Sequence, residues 1–116
     1  MALETTIRQI RDGGVLAVAV VSRDGTVLGS DLPTGVSKET FSIMCATIHG
    51  AGMTVSNEMR RSPPKRIVLE SNEGRIVITE AGRRALVVIA LPHGTDVEET
   101  SQRLQPLMEQ VARDTG

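Results

Sequence analysis

Cys45, His49 and His93 are, by type, the residues best suited to nucleophilic, acid–base or metal chemistry, and their spacing supplies no arrangement for it. A thiol becomes a nucleophile when a base or a positive neighbour holds it as thiolate. Cys45 instead lies in a run of small and apolar residues with no evident base, where a buried structural thiol is expected. The two histidines are far apart, and neither belongs to a ligand-spacing motif that would hold zinc. No GxxxxGK[ST] loop or GxGxxG fingerprint is present to cradle a phosphate. Asp24 and Glu73 fall in turn sequences, where shaping and solvating a loop accounts for them. The expectation is therefore a non-catalytic chain without cofactor or metal, whose activity resides in its surfaces.

The composition narrows the kind of surface. At 116 residues the chain suits one domain, 1–116, with one hydrophobic core. Apolar residues make up 40% and aromatic residues 1%, so that core must be aliphatic. The formal net charge of -1 gives no overall field to attract nucleic acid or an acidic membrane, and bases would find almost no rings to stack on. No apolar run approaches the length of a membrane-spanning helix, residues 1–12 show no signal-peptide pattern, and there is a single cysteine, which together point to a cytoplasmic protein.

Val15–Ser30 sets the frame for the remaining elements. Val15–Val21 is an unbroken, largely β-branched run that reads as a strand buried on both faces. The Asp24-Gly25 pair suits a tight hairpin turn, and Thr26–Ser30 returns as a shorter strand. Before it, Leu3, Ile7 and Ile10 recur at helical spacing over Met1–Arg11, with a stop at Asp12-Gly13-Gly14. Beyond a loop containing Pro33, Ser37 opens a long helix predicted to reach Met59. One stripe of that helix, Phe41, Met44, Cys45, Ile48, Ala51, Gly52, Val55 and Met59, is assigned to the core.

A second stripe on the same helix, Ile43, Ala46, Gly50, Met53 and Asn57, is too apolar and too small for a face in water. Glycine costs about 1 kcal/mol against alanine inside a helix, so Gly50 and Gly52 suggest that another backbone comes close. Either the helix is buried all round within the domain, or its outer face belongs to a protein interface. Arg60–Arg66 then forms the one dense basic cluster, broken at Ser62-Pro63-Pro64. It complements the negative end of the helix dipole, and Arg60 and Arg61 are also placed to meet an anionic partner.

Ile67–Glu70 and Arg75–Thr79 alternate, with Ile67, Leu69, Ile76 and Ile78 on one side, and are joined by a turn ending at Gly74. Ala85–Leu91 is continuously apolar and, like Val15–Val21, predicted to be central. Thr95 with Glu98 reads as a capping box for a last helix that buries Val97, Leu104, Leu107, Met108 and Val111, with a kink or break at Pro106. The order α-β-β-α-β-β-β-α predicts an α+β fold. A five-stranded antiparallel sheet ordered β2-β1-β5-β4-β3 carries the long helix on one face and the terminal helices on the other.

GVLAVAVVSRDGTVLGSD, the long small-residue helix, VLESNEGRIVITEAG and ALVVIAL, in this order, resemble the roadblock/dynein light chain domain family from Gly13 to about Val111. The resemblance implies a dimer in which third strands pair edge to edge and long second helices lie side by side, and docking of a small Ras-like GTPase. It maps the edge strand onto Lys65, Arg66, Ile67, Val68, Leu69 and Glu70, and the second helix onto Ser37–Met59. Partners would be a second copy or a related roadblock chain, plus the GTPase; the Pro63-Pro64 lead-in has no counterpart in the family pattern. The competing expectation is a small-molecule sensor of profilin-like or PAS-like type, holding its ligand between helix and sheet.

Overall fold

The computed structural model describes residues 2–116. Its elements are α1 (Ala2–Asp12), β1 (Ala17–Ser22), β2 (Val27–Asp31), α2 (Lys38–Glu58), β3 (Arg66–Ser71), β4 (Gly74–Ala81), β5 (Ala85–Pro92) and α3 (Val97–Thr115). The expected helix start at Met1 lies outside the described residues. The five strands form one sheet in the order β2-β1-β5-β4-β3, with every neighbouring pair antiparallel. The two continuously apolar segments are thus side by side in the middle, where both faces are covered.

Alternation along the strands divides the interior into two aliphatic clusters. On one face Val18, Val20, Val77, Val87 and Ile89 meet Ile7 and Ile10 of α1 and Leu104, Met108 and Val111 of α3. On the other, Ala19, Val21, Ile78, Leu86 and Val88 meet Cys45 of α2. α1 and α3 are also tied together where the buried Thr6 hydroxyl donates to Asp114 at 2.8 Å. Between β1 and β2, Gly25 turns the chain with φ of 94°, a left-handed conformation that glycine adopts without strain.

Most element ends shift by a residue or two from the sequence expectation, and three differences have a physical reason. Val15 precedes β1 and yet is buried in the α1/α3 cluster. The cap of α3 is Asp96, whose carboxylate accepts from the Glu99 amide at 2.9 Å, so the motif lies one residue later than Thr95 with Glu98. Asp and Thr both cap well, and here the acidic side chain takes the position while Glu98 is drawn aside to Arg66. Finally, α3 runs through Pro106 without a break. Pro106 is exposed, so water can serve the Gln102 carbonyl that loses its helical donor. Pro106→Ala restores that bond and should raise stability by about 2 kcal/mol, after allowing for the greater freedom of the unfolded chain. Urea unfolding with an unchanged or lower midpoint would contradict this.

Candidate protein-binding interface

β3 occupies the sheet edge next to α2. It pairs with β4 from Arg66↔Thr79 to Ser71↔Gly74, and its other side has no strand partner among the described residues. Lys65 lies just before the strand and Ser71 extends it beyond the expected Glu70. Ile67 packs with Ile76 against the cluster beneath α2, whereas Val68 and Leu69 are exposed. An edge that leaves large apolar side chains and backbone groups open is a template for pairing.

α2 sits on the sheet in a different rotation from the one its apolar spacing suggests. Its fully buried positions are Ser42, Cys45 and His49. Of the stripe assigned to the core, Cys45 is buried and Phe41 and Ile48 are half-buried against the same cluster. Ala51 is exposed, as are Met44 (49%), Val55 (63%) and Met59 (66%). The physical reason is that α2 is apolar on nearly every side, so the inward slots are decided by partners. Ser42 donates to the Glu39 carbonyl at 3.1 Å, and His49 Nε2 lies 2.9 Å from Glu80 Oε2 of β4. In the second stripe Ile43, Gly50 and Asn57 are exposed and Ala46 and Met53 half-buried, with Ile43 against the β1–β2 turn at Gly25.

The two helix glycines also separate. A Cβ on Gly50 would meet open space, whereas one on Gly52 would lie 2.6 Å from Ile67 Cδ1. The close approach within the chain is therefore at Gly52, and the neighbour is a β3 side chain rather than another helix. It also fixes direction: the exposed row Met44, Ala51, Val55, Met59, together with Ile48, borders the flank of α2 that overhangs β3.

The basic cluster is split by the end of α2. Arg60 takes a left-handed φ of 56°, the only non-glycine to do so among the described residues. Its amide bonds to Asn57 and that of Arg61 to Ser56, closing the last carbonyls in the manner glycine usually serves. Arg66 pairs with Glu98 of α3, while Arg60, Arg61 and Lys65 have no ion pair among the described residues. A cluster that sequence reading missed joins the helix to two hairpins: Arg23 contacts Glu80 at 3.2 Å and the Gly82 carbonyl at 2.9 Å, and Glu80 holds His49. The Arg23 hydrogen bond, opposed by partial burial and helped by His49, lowers the Glu80 pKa. Nothing in the sequence signals it, because the three residues meet only through the strand register.

Chemically reactive groups are muted. Burial pushes the Cys45 thiol up to about 11, so it stays protonated at neutral pH. Hydrogen bonds from Ser22 and Thr26 lower the Asp24 pKa, in keeping with a turn residue that accepts from its own loop. Among the described residues no group of His, Cys, Asp and Glu could hold a metal ion, and no helix is long and apolar enough to cross a membrane. Where a ligand sensor would bind, between the start of α2 and the sheet, lies a pocket of about 180 Å³ lined by Leu32, Pro33, Val36, Phe41, Ile76 and Val88. It is smaller than usual ligand sites and has no polar group to orient a guest.

A 2-1-5-4-3 antiparallel sheet with one long helix across one face and two terminal helices on the other is the roadblock type of profilin-like α+β architecture. The chain belongs to the Roadblock/LC7 domain family, whose model matches residues 1–90. It is 33% identical over 79 residues to protein MJ0714 of Methanocaldococcus jannaschii, covering 68% of this chain and 67% of that protein. The fold resembles the Roadblock/LC7 domain from Streptomyces avermitilis, with a TM-score of 0.85 at 11% identity over 96% of this chain and 95% of that one. It also resembles MglB with tetrameric arrangement, at a TM-score of 0.82 and 18% identity over 97% of this chain and 85% of that one.

Proposed function

We propose that residues 1–116 act as one roadblock domain, a non-catalytic dimeric scaffold or regulator in the cytoplasm that docks a small Ras-like GTPase. The observation that carries this reading is the exposed apolar row Met44, Ala51, Val55, Met59 beside the unpaired edge of β3. Burying both together requires a partner that brings a strand and a helix at once, which a second copy or a related roadblock chain does. The dimer edge would run over Lys65–Glu70, with the two α2 helices side by side. Support for self-association comes from the structural relative MglB, described in a tetrameric arrangement.

With that row covered, Ile43, Ala46, Gly50, Met53 and Asn57 remain as a platform for the GTPase, and Arg60 and Arg61 at its rim steer an acidic partner. Sedimentation of the full chain at micromolar concentration should give a dimer, and immobilised protein should capture a Ras-like GTPase from the same cell. Gly50→Leu has room in the chain and improves helix propensity, so it should leave fold and dimer intact while lowering capture at least about tenfold by steric exclusion. A monomer, or capture insensitive to Gly50→Leu, would contradict the respective half of the proposal.

A further inference from the structure

We infer that β3 is written to pair with itself about Val68, so that its edge selects a second copy of this chain, with Arg66 and Glu70 as the specificity-determining residues. The inference rests on the edge-pairing just proposed and goes beyond it by fixing register and partner. Along β3 the side chains divide cleanly. Ile67 belongs to the cluster under α2, whereas Arg66 reaches Glu98 of α3. Glu70 pairs with Arg75, which also donates to the Thr95 carbonyl just before α3. Odd positions thus face α2 and even positions face α3.

In an antiparallel ladder, residues directly opposite each other point to the same face. If both long helices lie on one face of the joined sheet, two β3 strands related by a twofold axis must be centred on a residue, not between residues. Three centres fall within the apolar part of the strand. Centring on Ile67 sets Lys65 against Leu69 and Arg66 against Val68 of the second copy. Centring on Leu69 sets Ile67 against Ser71 and Val68 against Glu70. Only centring on Val68 matches the inner pairs, with Lys65 falling opposite Ser71 at the ends: Arg66 meets Glu70 twice on the α3 face, Ile67 meets Leu69 twice beneath the helices, and Val68 meets itself. A self-complementary interface is what a twofold dimer requires. A related chain without this Arg-x-x-x-Glu spacing would meet like charges or an unmatched one, so the edge also discriminates.

The test exchanges the charges. Arg66→Glu and Glu70→Arg should each weaken self-association about tenfold or more, because opposed pairs become like-charged at two places per dimer. Mixed one to one, the two variants should recover as a heterodimer of near wild-type affinity, although each keeps its own local repulsion from Glu98 or Arg75. Independently of charge, Val68→Cys should form a disulfide-linked dimer under mild oxidation, Cys45 being buried and out of reach. Ile67→Cys and Leu69→Cys should cross-link when mixed and not alone. A wild-type dimer that ignores both exchanges, or that cross-links through Leu69→Cys or Ile67→Cys alone, overturns the register and leaves the dimer standing. A monomeric wild type overturns both.

Discussion

Gly74→Ala should lower stability by at least about 3 kcal/mol, the largest effect of any single methyl group added to this fold. Gly74 is buried at the first position of β4, where it pairs with Ser71 on one side and Pro92 on the other. Its φ of 149° lies in a region L side chains rarely adopt. A Cβ there would stand 2.2 Å from the Leu91 carbonyl oxygen and 3.2 Å from the His93 amide nitrogen. Those are backbone atoms held by the sheet, so no rotamer change relieves the clash. Relief requires β4 to separate from β5 at the end that leads into α3. Denaturant unfolding measures the loss directly, and a change of less than about 1 kcal/mol would show that the strand ends give way easily.

The contrast between strands and helices explains what the sequence makes legible. Continuous apolar runs at Val15–Val21 and Ala85–Leu91 leave little choice but a central position, and the alternation of Ile67, Ile76 and Ile78 fixes their common face. A period of two cannot be misread by a small error, since a slip of one residue would bury charge. α2 is harder. Apolar or small residues surround it, so a rotation of a fraction of a turn costs the pattern nothing, and Met44 and Val55 read as core although both are exposed. Ser42 and His49 take the inward positions through hydrogen bonds to Glu39 and Glu80, and Glu80 is supplied by a strand far away in the chain. Gly50 and Gly52 look alike to any propensity argument, and only the position of Ile67 tells them apart. The edge strand of the candidate site was therefore readable, whereas the helix flank that accompanies it was not.

Val55→Glu should abolish dimerisation at concentrations where the wild type is dimeric, a weakening of at least about a hundredfold, without unfolding the chain. Val55 is 63% exposed, so a carboxylate there costs the free chain little, and glutamate is a better helix former than valine. In the proposed dimer the same position lies between two α2 helices, where each copy would have to strip water from a charge that has no cation opposite it. The control is Asn57→Glu, an exposed position on the opposite flank of α2 from the Met44–Met59 row, which adds the same charge and should leave the dimer unchanged. Sedimentation velocity separates the outcomes, with circular dichroism confirming that each variant keeps its helices. If Val55→Glu remains a dimer while Gly50→Leu is monomeric, the helices pair through Ile43, Ala46, Gly50 and Met53 instead. The Met44–Met59 row would then be the surface offered to the GTPase.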